Sequence, residues 1–397
     1  MKLNFAAIIS ASACLLCSCA GRQAVTVQVT NNTGADGDRI IELDARDMLA
    51  RLDARHCFVT TADGTEIPSQ ITSDSLLLFH AELQSGASAD FRINACDSAR
   101  TYAPTVSGRA YPERADDIAW ENESGGYRIY GPTTQARGER AFGYDIFFKH
   151  YTEEPVLERL YEPETNPRTW QIVDSLRAID PALADEFIKS FSYHIDHGLG
   201  MDCYAVGPTL GAGVAAPVDG DSLNFAWCYS SAEVLDNGPL RFTVALDFAP
   251  RAIGADSLVT EHRIISLDSR SPLNRCRVIY EGLTAPVEVA AGFPRRDDSE
   301  ARLDAERGVV AYSDPTQGPD NGRAYLGLVA AGGLGAAYER YGHILGSQTV
   351  QPADTLEYFW GFEWDRNNPR LDIDSWKARL DAFAEARRQP FTVSITD

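Results

Sequence analysis

Alternation of apolar and polar residues with a period of two is the feature of this sequence that most limits its fold. Between Val25 and about Asp97 it recurs in short runs such as VTVQVT, HCFVTT and ADFRI, with turn signals at 31–34 and 62–64. Alternation bounded by Asn, Asp and Gly is typical of strands with one buried face. The segment is therefore predicted to be a small antiparallel β domain, resembling a sandwich, over residues 19–100.

The same pattern returns in the second part of the chain and predicts a larger β domain. Strand-type runs include GYRIY, YDIFF, LRFTVAL and LEYFWGFEW. Helical spacing of apolar residues is confined to 154–161, to 170–190 with a break at its Asp-Pro pair, and to a closing segment for which Asp374 is the predicted N-cap. Many strands with few helices favour a sandwich over an α/β sheet. We predict a mainly β chain with a linker at 101–113 and a large antiparallel β domain at 114–397.

The N-terminus predicts export and a lipid anchor. Residues 3–16 are an apolar stretch of the length of a signal-peptide core, too short to span a bilayer. The sequence LCSC at 16–19 resembles a bacterial lipobox, so we predict a lipoprotein signal peptide at 1–18 and lipidation of Cys19. The alternative is an ordinary cleaved signal peptide. Residues 20–23 lack an acidic run, which favours anchoring at the periplasmic face of the outer membrane.

Composition excludes some classes of partner. The chain has 36 Lys and Arg against 57 Asp and Glu, a net charge of −21. Such a field disfavours nucleic acid and anionic membranes, so we expect membrane contact only through the lipid, although a local Arg cluster can still bind an acidic ligand. No metal or cofactor is predicted. The remaining cysteines are widely spaced, at 57, 96, 203, 228 and 276. We predict that most of them are buried as small apolar residues, with one disulfide as the alternative.

The run YHIDHGLGMDCY at 193–204 is the densest group of residues capable of chemistry. It holds two of the seven histidines beside aspartates and tyrosines, a composition that suits proton transfer near neutral pH. A structural turn is the alternative, and a metal site is less favoured because the spacing of the two histidines is common by chance. The predicted catalytic residues are Tyr193, His194, Asp196, His197, Asp202 and Tyr204.

A second group of residues suits ligand recognition. The run YPERADDIAWEN at 111–122 combines an Arg, carboxylates and a Trp. An indole can stack on a sugar ring while charged groups hold its hydroxyls, whereas the alternative is a buried Trp among ions that pair with each other. An RxY pair at 128–130 extends this group on one strand face, and the NGPLR turn at 237–241 offers an Arg for a carboxylate or a simple salt bridge. The predicted ligand-binding residues are Arg114, Asp117, Trp120, Glu121, Arg128, Tyr130 and Arg241.

Four motifs in order, YPERxDDxxWEN, RxYGP, YHxDHGxGxDCY and NGPxR, resemble a family of exported proteins of unassigned function found beside polysaccharide-utilisation genes in Gram-negative glycan degraders. The resemblance covers nearly all of the mature chain. It implies a large domain similar to the galactose-mutarotase-like supersandwich, with QPADTLEY at 351–358 as its turn and final strand. The family pattern commonly has an acid where this chain has Leu199. If that acid is catalytic in the family, this chain is either impaired or uses Asp196 or Asp202 instead.

Together these features predict a carbohydrate-active protein whose ligand is an oligosaccharide, with uronic acid as a favoured component. In a lyase, an arginine would neutralise the uronate, a histidine would move the proton and a tyrosine would serve as the acid. A hydrolase would pair Glu121 with Asp196 or Asp202. A mutarotase or epimerase, a non-catalytic glycan-binding lipoprotein and a structural envelope protein remain open, because the fold hosts several functions. All the sugar hypotheses require residues 114–130 and 193–204 to converge.

Overall fold

The computed structural model describes residues 24–318 and 320–396, so the predicted signal peptide and Cys19 lie outside the described residues. Strands predominate in it. The strands are β1 (Ala24–Thr30), β2 (Gly37–Asp44), β3 (His56–Thr61), β4 (Glu66–Ile67), β5 (Ser69–Ile71), β6 (Leu76–Leu83), β7 (Ser88–Cys96), β8 (Ser107–Tyr111), β9 (Asp117–Glu121), β10 (Gly125–Ile129), β11 (Asp145–Lys149), β12 (Gly200–Met201), β13 (Ala215–Asp219), β14 (Ser222–Leu223), β15 (Tyr229–Asn237), β16 (Arg241–Phe248), β17 (Arg251–Ile253), β18 (Asp256–Asp268), β19 (Leu273–Glu281), β20 (Val287–Pro294), β21 (Glu300–Asp304), β22 (Val309–Asp314), β23 (Ala324–Val329), β24 (Ala336–Arg340), β25 (His343–Val350), β26 (Thr355–Trp364) and β27 (Thr392–Thr396). The helices are α1 (Ala45–Arg51), α2 (Pro132–Ala136), α3 (Leu157–Thr165), α4 (Pro167–Ile179), α5 (Pro181–Phe191) and α6 (Ile373–Arg388), with a short 3-10 helix at Pro112–Arg114.

The N-terminal part is a sandwich of two antiparallel sheets. One sheet has the strand order β27-β1-β7-β3-β4 and the other β2-β6-β5. Alternation along β1 turns Val25, Val27 and Val29 inward, where they share a core with residues of the second sheet such as Phe79. The predicted β-sandwich is confirmed in this part of the chain.

Two strands depart from the predicted segment boundaries. β8 lies inside the predicted linker at 101–113 and pairs with β9. The last described strand, β27, returns to the first sandwich and pairs with β1, with Val393 opposite Val29. The partner of β27 is distant in sequence, so the place of this strand depends on tertiary contacts that a local pattern does not show.

The larger part is built from three antiparallel sheets around one core. Their orders are β12-β11-β10-β9-β8, β14-β13-β20-β25-β24 and β15-β16-β18-β19-β26-β23-β22-β21, and β17 pairs with β18. Aromatic rings join the sheets: the Trp360 ring centroid lies 4.2 Å from that of Tyr144 and 6.5 Å from that of Trp120. The prediction of a mainly β chain with sandwich-type packing is confirmed for this part as well.

The helices cover outer faces of the sheets. α6 buries Trp376 and Leu380 against the longest sheet. The predicted break at Asp180-Pro181 is confirmed, because Asp180 caps α5 and Pro181 is its first residue. In the described part of the chain, no helix combines the length and the apolar character that crossing a bilayer requires.

The five cysteines predicted as small apolar residues are all unbridged. Cys57, Cys96, Cys203 and Cys276 are buried, and Cys228 is half-buried. Burial raises the pKa of the Cys57 thiol to about 11, so it stays protonated and packs as an apolar group.

The N-cap of α6 is Asp372 and not Asp374. The Asp372 carboxylate accepts a hydrogen bond of 2.7 Å from the backbone N–H of Ser375, and the Ser375 hydroxyl accepts one of 3.0 Å from the Asp372 N–H. Asp374 lies in the first turn and pairs with Arg302 at 2.7 Å on the surface. The reciprocal capping box fixes the start of the helix two residues earlier than predicted.

Asp372→Ala is expected to lower the free energy of unfolding by about 1 kcal/mol, because the backbone N–H of Ser375 loses its acceptor. Asp374→Ala removes the same charge and only an exposed ion pair, so its loss should be about a few tenths of a kcal/mol. Urea unfolding of the chain without its first 18 residues measures both values. Equal losses in the two variants would show that the cap contributes no more than the charge.

Candidate active site

The structure brings the two segments singled out from the sequence into direct contact. Arg114 donates a hydrogen bond to the Tyr193 hydroxyl. A second contact joins the same two segments, because Arg128 Nη2 lies 2.9 Å from Asp202 Oδ2. Residues from 114–130 and from 193–204 therefore form one continuous cluster, which we call the candidate site: Arg114, Tyr193 and His194, with the supporting ions beneath them.

A strained loop positions Arg114. Ala115 and Asp116 both have left-handed backbone conformations, with φ of 55° and 59°, which cost roughly 1–3 kcal/mol each outside glycine. The conformation is held in place because the Tyr229 hydroxyl donates to the Asp116 carbonyl and the Thr133 hydroxyl donates to the Asp116 carboxylate. Strain maintained in this way is a feature of functional loops.

Aromatic rings complete the seat of Arg114. Its guanidinium carbon lies 4.6 Å from the ring centroids of both Tyr161 and Tyr193. The side chain keeps 18% of its exposure, and its nearest carboxylate is that of Asp117, 3.6 Å away. Arg114 is thus a rigidly held cation that still reaches the surface.

His194 is an exposed imidazole with a fixed tautomer. Its Nδ1 lies 3.1 Å from the Asp202 carbonyl oxygen. A carbonyl only accepts, so Nδ1 carries the proton and Nε2 of the neutral ring has a free lone pair. The Asp202 N–H in turn donates to the Tyr193 carbonyl at 2.8 Å. This backbone loop holds the His194 imidazole beside the Tyr193 ring, 4.5 Å from centroid to centroid.

A buried ion cluster supports the site from below. Arg128 and Asp145 are opposite each other on β10 and β11, and Arg128 Nε lies 3.0 Å from Asp145 Oδ2. The Tyr130 hydroxyl donates to the same oxygen at 2.6 Å, and Asp202 completes the set. Arg128 was predicted to bind ligand, but it is 7% exposed and its charge is neutralised by these carboxylates. Its physical role is to hold Asp202, and through it the His194 loop.

Three other predicted ligand-binding residues are structural. The strand β9 is buried on both faces, so Trp120 lies in the core, stacked on Phe242 with its Nε1 donating to Asn274 Oδ1 at 2.7 Å. The prediction of an exposed stacking platform at Trp120 is therefore wrong. Glu121 accepts from Lys149 Nζ at 2.8 Å and from the first N–H groups of α3, so it caps that helix.

Arg241 joins the two parts of the chain. Its Nη2 lies 2.7 Å from Glu42 of β2, and its Nε donates to Asp268 at 2.5 Å. These two carboxylates neutralise the guanidinium that was predicted to bind a substrate carboxylate. The alternative of a simple salt bridge is therefore the one observed.

Other residues of the histidine run lie away from Arg114 or serve the turn. Tyr204 is buried beside Arg296, 5.7 Å from ring to guanidinium. Asp196 accepts from the Gly198 N–H at 2.8 Å and from His150 Nε2 at 2.8 Å. His197 is exposed, and no hydrogen bond fixes its ring within the described residues.

Comparison with known proteins assigns the chain to a family. Residues 29–393 match the family described as "Domain of unknown function (DUF4861)". The chain belongs to this family. A curated relative, "Uncharacterized protein P7" of Formosa agariphila, is 25% identical over 336 residues, which cover 81% of this chain and 78% of the relative. The DUF4861 match includes every residue of the candidate site.

One solved structure supports the similarity of the fold, and a second is reported beside it. A protein in glycosyl hydrolase family 38 from Enterococcus faecalis superposes with a TM-score of 0.52 at 8% identity, over 94% of this chain and 47% of that protein. An α-mannosidase from Enterococcus faecalis V583 gives a TM-score of 0.47 at 8% identity, over 94% and 46%. This DUF4861 chain thus spans about half the length of the solved proteins it resembles.

Sequence reasoning missed two residues of this DUF4861 site and one in the neighbouring turn. Asp145 is the buried partner of Arg128, and Tyr161 is the buried partner of Arg114. His150 makes a hydrogen bond with Asp196. Asp145 begins the apolar run DIFFK, which indicated only a core strand. Its opposite charge to Arg128 on the preceding strand was the available signal, since facing residues of opposite charge on paired strands stabilise one another.

Asp117 makes the stability of this family member depend on pH. Burial raises the pKa of its carboxyl from 3.8 to about 6, against the effect of Arg128 and Arg114. The folded state therefore holds the proton more tightly than the unfolded chain. Stability is greatest below about pH 4 as far as this group is concerned, and it falls as the pH rises through about 6.

Asp117→Asn is expected to remove that dependence. The unfolding free energy of the variant, relative to the parent, should rise by up to about 3 kcal/mol between about pH 4 and about pH 7, at 1.36 kcal/mol per pKa unit. Asp174→Asn changes a carboxylate on α4 that is 75% exposed. Plots of unfolding free energy against pH for this variant and for the parent should therefore be parallel curves. Parallel curves for Asp117→Asn as well would refute a raised pKa at this position.

Proposed function

We propose that the chain is an exported, lipid-anchored protein that transfers a proton at the carbon next to the carboxyl group of a uronic-acid-containing oligosaccharide. The observation that carries the proposal is the placement of His194, whose Nδ1 is held by the Asp202 carbonyl and whose Nε2 is free. Arg114, a partly exposed cation, contacts the same Tyr193 ring that His194 contacts. A base next to a cation is what abstraction of a proton α to a carboxylate requires.

Each group has one task in this scheme. Arg114 binds the uronate and stabilises the negative charge that develops when the C–H bond breaks. His194 Nε2 takes the proton. Tyr193 serves as the acid in this scheme. Burial raises the pKa of its hydroxyl and keeps it protonated. Its contact with Arg114 keeps that hydroxyl at the reacting end of the site.

Two outcomes can follow proton abstraction. In an elimination, the bond to the glycosidic oxygen breaks, that oxygen takes a proton from the acid, and an unsaturated uronate remains. In an epimerisation, a proton returns to the opposite face of the same carbon. Hydrolysis fits the site less well, because Glu121, the carboxylate it would use, is buried under α3 with its oxygens occupied.

The fold comparison supports a carbohydrate ligand. The likeness to a protein of glycosyl hydrolase family 38 extends over 94% of this chain, although it covers only 47% of that protein. The resemblance of the motifs to exported proteins encoded beside polysaccharide-utilisation genes supports the same class. Anchoring at Cys19 and the periplasmic face of the outer membrane are parts of this proposal, as is the galactose-mutarotase-like character of the large domain.

The test is an activity screen with the chain lacking residues 1–18. Oligosaccharides that contain uronic acids and their neutral counterparts are incubated with the protein, and ultraviolet absorbance and mass are followed. A gain in absorbance without a change in total mass indicates elimination, and solvent deuterium entering an intact uronate indicates epimerisation. Addition of water without absorbance, or no turnover of any acidic substrate, contradicts the proposal.

A further inference from the structure

A groove of about 630 Å³ lies between the N-terminal sandwich and α6. We call it the interdomain groove. β2 forms one wall, the 268–272 turn forms its floor, and the second half of α6 with residues 390–393 forms the other wall. Its volume is within the range of ligand sites in proteins. The groove shares no lining residue with the candidate site.

Two arginines of the interdomain groove have no carboxylate partner among the described residues. Arg39 Nη1 donates to a backbone carbonyl, that of Asp38, at 2.8 Å, and its Nε is buried without a hydrogen bond. Arg387 rests against aromatic rings, 4.6 Å from the Phe359 centroid and 5.3 Å from that of Phe383. Neither guanidinium is neutralised by a direct ion pair.

The other arginines at this groove show the contrast. Arg270 pairs with Asp38 at 2.8 Å, and Arg379 pairs with Glu363. Arg39 is half-buried, and a charge that loses water without gaining a partner is in an unfavourable state.

Desolvation of the two unpaired guanidiniums is consistent with that geometry. The surrounding protein lowers the pKa of Arg39 despite the nearby Asp38. It also lowers the pKa of Arg387 although Asp268 and Glu42 act in the opposite direction. A bound anion would relieve this unfavourable state at the half-buried Arg39 and would pair with the exposed Arg387 guanidinium.

We propose that the interdomain groove is a second ligand site, which binds a saccharide carrying carboxylate or sulfate groups through Arg39 and Arg387. Phe383, which is only partly buried, gives the groove apolar surface against which a sugar ring can lie. The choice of a saccharide rests on the proposed function, whereas the requirement for an anion rests on the two arginines alone. The groove would hold a distant part of a long acidic chain while the candidate site acts on its end.

Calorimetric titration with an acidic oligosaccharide, its neutral counterpart and inorganic sulfate tests this site. The protein is His194→Ala, so that no ligand is consumed. Arg39→Gln and Arg387→Gln, each added to it, are expected to weaken binding of the acidic ligand roughly tenfold, because each removes a charge-assisted hydrogen bond. Arg168→Gln, at an exposed residue of α4, removes the same charge elsewhere and should leave the affinity unchanged.

The outcomes separate the two proposals. Loss of affinity in both groove variants, with unchanged thermal unfolding, supports the second site even where no oligosaccharide is turned over. Binding of sulfate but of no saccharide supports an anion site and contradicts the saccharide. Equal affinity for the neutral ligand, or acidic-ligand affinity that neither groove variant changes, overturns the second site and leaves the proposal for His194 standing.

Discussion

Replacing His194 by Ala is expected to lower turnover of an acidic oligosaccharide by roughly 10²–10⁴-fold, the usual contribution of a positioned acid or base. Affinity for the same ligand should change little, because the proposed function assigns binding of the carboxylate to Arg114. The physical reason is that Ala removes the one imidazole whose tautomer the Asp202 carbonyl fixes. Initial rates and calorimetric affinities of the parent and the variant give the two numbers independently.

His197→Ala is the matched control for this prediction. His197 lies three residues further along the same exposed run, and its ring has no hydrogen bond within the described residues. Its replacement should leave the rate close to that of the parent. A rate that falls as far in His197→Ala as in His194→Ala, or in neither, would remove the assignment of His194 as the base.

Arg128→Met is expected to lower the free energy of unfolding by about 3–5 kcal/mol. Methionine fills much of the space but leaves Asp145 and Asp202, which are 1% and 5% exposed, without their cation. Urea unfolding measures the loss. Because the cluster holds the Asp202 loop, the same variant should also lose turnover through displacement of His194.

A surface pair provides the comparison for this variant. Arg177 and Asp174 on α4 lie 3.5 Å apart, with side chains 51% and 75% exposed. Arg177→Met should therefore cost less than about 1 kcal/mol. A loss for Arg128→Met no larger than that of Arg177→Met would mean that the buried ions contribute little and that the site is supported in another way.

The pattern of the sequence predicts the strands well where one face meets solvent. β1 alternates as its sequence does, and its three valines point inward. The same pattern does not predict which residues of β9 are exposed, because both faces of this strand are covered and Trp120 has no solvated side to occupy. A single strand does not indicate how many layers will pack on it, and so the stacking platform was predicted wrongly.

Partners across the sheet and across the two parts of the chain explain the remaining differences. Arg241 finds Glu42 at a separation of 199 residues, a distance over which one sequence contains no pairing signal. The convergence of Arg114 with Tyr193 was predicted only in outline, from residue types that suit one chemistry. The fold adds the details that matter for mechanism: which nitrogen of His194 is free, and which arginines are already neutralised.

The crystal structure of His194→Ala with an uncleaved uronic-acid oligosaccharide tests the central claim most directly. The account predicts that a uronate carboxylate lies on the Arg114 guanidinium, and that the carbon bearing it faces the space left by the His194 ring. An oligosaccharide whose carboxylates avoid Arg114, or whose sugar rings lie only in the interdomain groove, would contradict it.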